Sequence, residues 1–558
     1  MHRTLRIFPA LLFAAACSGS DAGDAGTPSS AIAPGANAIS GENLADWTRA
    51  LASDEFGGRG PSSPGEERTV AFLRDEFQAL GLEPGNDGSW VQDVPLVEIT
   101  VEGEPGLTVQ SGEGAQELGW ADGYVAWTKR VVESSTLEDS ELVFVGYGIV
   151  APEFGWNDYE GVDMEGKTAV ILVNDPGFAT QDPTVFRGNA MTYYGRWTYK
   201  FEEAARQGAA GALVVHHTAP AGYGWDVVTN GWTGPQFDLV RDGGNMGRVA
   251  VEGWIDGEAA TEVFALAGHD LGALEAAAAQ PGFQAVPLGS TASVTLRNNV
   301  TESISRNVLA VLPGTDRADE YVVYMGHWDH FGTSADPTLE DPIFNGAKDN
   351  ATGTAALLEL ARTFAALDER PARSLLFLAV TAEEQGLLGS AYYGAYPVYP
   401  TDKTVAAINI DVLNTDGPMN DITVVGFGNS ELDDYVGAAA TAQGRTVNPD
   451  AEPEKGFYYR SDHFSFAKAG IPALYTDPGT DHVEHGVEWT MEQRTDYTAN
   501  RYHKPTDEFD ESWDWQGAVD DLRLLFDVGF RLATSDDYPN WREGTEFKAI
   551  RDADMAAR

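Results

Sequence analysis

The chain has 558 residues, with 86 Asp and Glu against 36 Lys and Arg and a formal net charge of −50. That length exceeds one ordinary hydrophobic core, so two folded units plus a tail are expected, and 43% hydrophobic with 11% aromatic residues excludes a disordered chain. The acidic balance excludes nucleic acid as a partner, because phosphate backbones recruit Lys and Arg, and the lone Cys17 excludes an intrachain disulfide and a thiolate metal site.

At the N-terminus His2, Arg3 and Arg6 form a basic start. Residues 7–16 are apolar but too short to span a bilayer. Ala14-Ala15-Ala16-Cys17 resembles a bacterial lipoprotein signal, in which Cys17 is lipidated and becomes the first residue. This predicts a periplasmic or cell-envelope protein, possibly at the outer membrane, touching the membrane only through a lipid anchor. Secretion after cleavage at the alanines is the alternative. Residues 18–40, rich in Gly, Ala, Ser, Asp and Pro, read as a flexible linker. From residue 43, Leu44, Trp47 and Leu51, then Val70, Leu73, Phe77 and Leu80, recur at helical spacing, with Gly81 closing the second helix.

Residues 101–298 read as a β-rich insertion. Apolar runs at 142–149, 168–173 and 211–215 alternate with Gly-rich turns, and residues 197–207 predict a helix. No constellation of ligands stands out there. His216 and His217 are adjacent, so a strand points them to opposite faces and they make a poor metal pair.

Residues 299–545 read as strand, loop and helix in repetition, with 546–558 as a tail. Strands are expected at 307–312, 321–325, 374–380, 405–410, 421–425 and 471–475, and the best helix at 350–367. The continuous apolar runs predict an α/β fold with a mostly parallel sheet covered by helices. Residues 41–100 belong to the same unit as its N-terminal part.

In such sheets ligands gather beyond the carboxyl ends of strands. His327-Trp328-Asp329-His330, Asp349, Glu383-Glu384, Asp411, Arg460-Ser461-Asp462-His463 and Tyr502-His503 all fall at such places. Singly, Asp349 reads as a helix cap and Glu383 and Glu384 as a solvated helix start; together they recur too regularly for that. The inventory also balances: Asp349, Glu384, Asp411 and a bridging hydroxide neutralise two zinc ions, with His327 and His503 as neutral ligands. Asp329 is placed to orient His327, and Glu383 is free to take a proton from water.

The segments 326–330, 345–353, 381–390, 409–411, 460–464 and 502–507 resemble the M28 family of zinc peptidases. Residues 144–148 and 156–159 are similar to a protease-associated (PA) domain inserted in that fold. The resemblance implies a di-zinc metallopeptidase working by a metal-bridging hydroxide, most readily an aminopeptidase acting on peptides. It implies His327 and Asp411 on one zinc, Glu384 and His503 on the other, Asp349 between them and Glu383 as general base. Tyr502 would steady the oxyanion, and Arg460 and Asp462 would contact substrate or the edge of the site. His482 and His485 rival His503, and Lys348 is expected to point away. A carboxypeptidase or dipeptidase, with Arg460 taking the terminal carboxylate, a glutaminyl cyclase and a non-catalytic receptor are the alternatives.

Overall fold

A computed structural model describes residues 33–112, 114–336 and 338–558. Cys17, the expected signal and most of the expected linker lie outside the described residues. Among the described residues no helix is long and apolar enough to cross a membrane.

Helix α1 (Gly41–Leu51) starts where the Ser40 side chain accepts the Asn43 N–H, and α2 (Pro64–Ala79) where Ser63 accepts from Gly65 and Glu66. Both caps satisfy N–H groups that have no partner within the helix. Gly81, at φ 83°, follows the last turn of α2. Residues 33–40, expected in the linker, are packed instead: Ala33, Ala36 and Ile39 are buried, and the Ala33 N–H donates to Asp527 Oδ1 at 3.0 Å.

After β1 (Val91–Val101) the chain enters the inserted half. Here β2 (Ser134–Phe144), β3 (Thr168–Leu172), β4 (Gly211–His216) and β5 (Val251–Asp256) lie side by side and parallel, with α3 (Trp197–Arg206) between β3 and β4 in the chain. The apolar run expected as a strand over 142–149 ends at Phe144. Gly146 and Gly148 take φ of 57° and 62°, and a Cβ on them would sit 2.9 Å from Phe283 and 2.8 Å from Ile171. Only glycine turns the chain there.

Strand β6 (Val286–Leu312), 27 residues long, joins the two halves. It pairs antiparallel with β2, then with β1, and at its end with the strand at 373–380. The expected boundary at residue 298 therefore falls inside a strand. The first part of β6 alternates buried and exposed positions, the pattern of a half-covered antiparallel strand, and carries no apolar run to announce it.

The second half contains β7 (Arg317–His327), α4 (Thr352–Ala365), β8 (Arg373–Val380), α5 (Leu388–Ala395), β9 (Thr404–Asn409), β10 (Asp421–Val424), α6 (His463–Lys468), β11 (Ala473–Asp477), α7 (Gly486–Asn500) and α8 (Gln516–Thr534). Four strands run parallel in the order β8–β7–β9–β11, but β6 and β10 join this core antiparallel. The sheet is thus mixed, a correction to the mostly parallel expectation. Val322, Tyr324, Leu375, Phe377 and Ile408 pack with residues of α4 and α8, while Val323, Met325, Leu376, Leu378 and Ala407 pack with Tyr393 of α5 and Phe466 of α6. Successive residues point to opposite faces, and both faces are covered, which is why the strands read as unbroken apolar runs. The expected tail forms a helix, Lys548–Ala557, whose buried Arg551 donates to the Thr404 and Val405 carbonyls.

Candidate metal centre

The carboxyl ends of three parallel strands supply most of the site. β7 ends on His327, β8 runs into Thr381-Ala382-Glu383-Glu384, and β9 runs into Ile410-Asp411. The turn before α4 brings Asp349, and the turn after α7 brings His503. Ala382, Val412 and His503 hold φ of 52°, 63° and 58°. Left-handed backbone is uncommon outside glycine and costs about 1–3 kcal/mol per residue, and each of these residues is in the cluster or adjoins it.

The Asp349 turn is tied down on three sides. Asp507, fully buried, accepts the Lys348 and Asp349 N–H groups, each at 3.1 Å to Oδ2. Asn350 accepts from Gly353 (2.9 Å) and Val412 (3.0 Å) and donates to the Ile410 carbonyl (3.1 Å); the Asp349–Asn350 peptide bond is cis. Arg59, also fully buried, donates to the carbonyls of Leu51 and Trp328 (both 2.9 Å), Asn345 (2.6 Å) and Gly346 (2.8 Å). These buried carbonyls need a donor, and one guanidinium supplies all four.

At the centre, His327 Nε2 lies 3.2 Å from Asp411 Oδ1 and 3.3 Å from Asp349 Oδ1. His503 Nε2 lies 3.3 Å from Asp349 Oδ2 and 3.2 Å from Glu384 Oε2. Asp349 thus spans two clusters, one oxygen in each. His327 Nδ1 faces the Asp329 carbonyl at 3.1 Å. A carbonyl only accepts, so the proton of a neutral ring sits on Nδ1 and the bare Nε2 faces carboxylate oxygens. Acceptors aimed at acceptors call for a cation between them. With zinc bonds of ~2.0–2.1 Å, two tetrahedral ligand atoms stand ~3.3 Å apart, which matches all four separations. The donor set therefore fits divalent zinc. His327, Asp349 and Asp411 form one group able to hold a metal ion, and His330, Asp349 and Glu384 form another. His330 Nδ1 lies 2.6 Å from Glu384 Oε1, a short hydrogen bond, closer than two ligands of one zinc stand. It orients Glu384 and leaves Oε2 to face His503, which stands at the metal-ligand spacing.

Burial, reinforced by Glu384 and Asp411, holds Glu383 well above the usual carboxylate range. Its Oε2 lies 3.9 Å from His327 Nε2, and its N–H donates to Asp329 Oδ1 at 3.1 Å. Asp329 is expected to orient His327, and two of its oxygens are candidates. Oδ1 of its carboxylate is 3.8 Å away and is taken by Glu383, so the backbone carbonyl of Asp329 does the orienting. Burial pushes the Asp329 carboxyl up to about 8.

The remaining expected residues divide. Tyr502 is 41% exposed and stacks on His503 at 3.7 Å. Arg460 is partly exposed and precedes Ser461, whose Oγ donates to Asp411 Oδ2 at 2.7 Å. Asp462 has no exposed surface, so contact with substrate is closed to it; the strand-end position that marked it leads inward. Lys348 points away from the cluster, to Asp416 Oδ2 at 3.2 Å. His482 and His485 stack on each other at 4.7 Å and line a separate cavity of about 530 Å³ with Trp489, so neither rivals His503. Sequence reasoning missed His330, Asp507, Ser461 and Arg59. The first three stand inside the quoted motifs, so position marked them, but their roles depend on partners remote in sequence.

Residues 307–526 match Peptidase family M28. The chain is 34% identical over 140 residues to Aminopeptidase NAALADL1 of Mus musculus, across 24% of this chain and 17% of that protein. It thus spans about a sixth of the length of that curated relative. Among solved structures, the aminopeptidase from Aneurinibacillus sp. strain AM-1 aligns over 90% of this chain and 96% of its own, at 22% identity and a TM-score of 0.49. A zinc aminopeptidase from Bacillus subtilis aligns over 91% and 97%, at 18% identity and a TM-score of 0.41. The segment 307–526 is thus similar to Peptidase family M28, and it carries strand-end clusters of His, Asp and Glu able to hold metal ions.

Proposed function

We propose that the protein is a zinc-dependent exopeptidase that removes N-terminal residues from peptides, with two zinc ions per chain. The observation that carries this reading is the set of bare or acceptor atoms facing one another at 3.2–3.3 Å around Asp349. His327 and Asp411 would hold one ion, Glu384 and His503 the other, with Asp349 shared. Bound zinc supplies Lewis-acid polarisation of the scissile carbonyl and acidifies water.

The chain's own groups do the rest. Glu383, enclosed and well above the usual carboxylate range, takes a proton from the attacking water and delivers it to the leaving amine. The C–O bond forms first, placing charge on the carbonyl oxygen, and the peptide C–N bond breaks once the amine has received the proton. The Asp329 carbonyl fixes the His327 ring, and His330 fixes Glu384. Tyr502 stands beside His503, where its hydroxyl can meet the developing oxyanion. In the same reading the inserted half is a PA-like wall that restricts access to short peptides. Residues 1–17 direct export, with Cys17 as the lipid anchor.

The test is metal content and substrate end together. The purified chain is expected to carry two zinc ions, to lose hydrolysis of N-terminal amino-acid anilides on chelation and to regain it with zinc. N-blocked peptides should resist cleavage; equal cleavage of blocked and free peptides overturns the aminopeptidase reading.

A further inference from the structure

Helix α7 has little packed beneath it. Of its 15 residues only Thr490 is buried. Helices in proteins draw most of their stability from one face packed on the core, and α7 has on that side the cavity of about 530 Å³ that His482 and His485 line. Trp489, Gln493, Asp496 and Tyr497 recur at helical spacing along the cavity wall, while Val487 and Met491 lie exposed to solvent. The other walls are the loop at 415–418 and the segment that carries Trp513 and Asp514.

The lining is aromatic and acidic. Glu484, Asp496, Asp510 and Asp514 stand on it with Trp489 and Trp513. Thr415, on the same wall, is 2% exposed, and its hydroxyl has no hydrogen-bond partner among the described residues. A buried hydroxyl left so calls for a group from outside the chain. One ammonium already sits at this wall. Lys348 Nζ lies 3.2 Å from Asp416 Oδ2 and 4.9 Å from the centre of the Tyr497 ring. A ring face on one side and a carboxylate on the other is the setting in which organic cations are held, and the tryptophans and free-standing acids of the cavity offer it a second time.

The cavity is separate from the metal centre but bonded to it. The Tyr497 carbonyl accepts the Arg501 N–H (2.8 Å) and the Tyr502 N–H (2.9 Å), directly before His503. The Tyr497 hydroxyl donates to Asp507 Oδ2 at 3.3 Å, and Asp507 holds the Asp349 turn. Lys348 immediately precedes Asp349. A group seated under α7 thus acts on the helix end that positions His503.

We propose that the cavity beneath α7 binds an organic ammonium group against Trp489 and Trp513, and that its occupation firms α7 and the turn that carries His503. The group belongs to a small amine or to a basic side chain of a peptide, which share this chemistry. The binding does not depend on the peptidase reading.

The probe is tetramethylammonium, which has no lone pair to offer a metal ion, set against neopentyl alcohol as its neutral counterpart. Calorimetric titration of the full chain should find one ammonium per chain, with the alcohol bound about tenfold more weakly or less. Trp489→Leu should weaken the ammonium about tenfold, and Trp489→Phe should keep most of the affinity. Hydrogen exchange over residues 486–500 should slow when the cation is bound. Equal binding of cation and alcohol, or no binding of either, overturns the site. Unchanged affinity in Trp489→Leu overturns its place in this cavity, and unchanged exchange at full occupancy overturns the link to His503. Should Trp489→Leu not fold, Glu484→Gln, a change at an exposed position, must weaken the cation about threefold and spare the alcohol; equal effects on both overturn the site. Displacement of tetramethylammonium by n-butylammonium and by Nα-acetyl-lysine methylamide tells the two sources apart. Either order upholds the ammonium site, and the tighter competitor names its source.

Discussion

The two halves of the molecule share a plan and differ in what stands at their strand ends. Each has four parallel strands at its centre, with polar residues at or just beyond the ends of most of them. In the inserted half the strand-end acceptors Asp175 and Asp256 meet donors. Asp175 accepts from the Gly177 N–H (3.0 Å) and from the Thr192 N–H and hydroxyl (2.9 and 2.8 Å), Asp256 caps a helix through the Glu258 N–H (2.9 Å), and His216 and His217 face the Tyr223 carbonyl and Glu275. In the catalytic half the acceptors meet one another. His327, His503, Asp349, Glu384 and Asp411 converge without donors between them. A strand-end carboxylate is therefore structural or metal-binding according to what faces it, and residue type alone does not decide.

The sharpest attempt to break this contrast is Glu383→Gln. The amide keeps the shape but cannot carry a proton between water and amine. A loss of about 10²–10⁴ in kcat is expected, with zinc per chain unchanged by elemental analysis. Near-parent turnover with full metal would remove Glu383 from the chemistry.

A matched pair of substitutions separates the halves more finely. Asp507→Asn and Asp175→Asn make the same change in buried carboxylates that each accept three donors. Asp507 holds the Asp349 turn, so its variant should bind zinc about 10–100-fold more weakly by competitive chelation. The Asp175 variant should lose about 1–3 kcal/mol of stability in urea unfolding while its zinc affinity and anilide turnover stay at the parent level. Equal loss of zinc in both would show that the halves share one determinant of the site.

What was legible in the chain follows the same division. Unbroken apolar runs announced β7, β8 and β9, because helices cover both faces of them, and the residues just beyond them could be read as one rim. The Gly-rich turn at 146–148 and the alternating first part of β6 were misread, since a turn inside an apolar run and a half-covered strand leave weak local signals. Arg59 was invisible as anything but a loop residue, because its partners are four carbonyls, which no side-chain pattern records. His330 looked like one more histidine near His327, and its role is defined by the second oxygen of Glu384, 54 residues away.

The smallest expected effect concerns histidines that no metal argument uses. His217, in the inserted half, pairs with Glu275 at 2.8 Å, and that hydrogen bond raises it above its usual value. His463, in the catalytic half, is fully buried with its ring against Tyr458 (4.6 Å) and Tyr475 (4.9 Å), and burial lowers it from 6.5 to about 3. The signs are opposite. The contribution of His217 is present at low pH and lost as pH rises through its raised value. For His463 the unfolded chain binds a proton that the folded chain refuses, so stability falls as pH drops from 6.5 toward 3. One such proton is worth about 1.4 kcal/mol per pH unit, hence about 2 kcal/mol between pH 7.5 and 5. His463→Phe keeps an aromatic ring and removes the proton, so urea midpoints at pH 7.5 and 5 should differ less in the variant by that amount. An unchanged acid sensitivity would mean that His463 is already protonated in the fold, and the ring could not then lie enclosed between two tyrosines without an anion beside it.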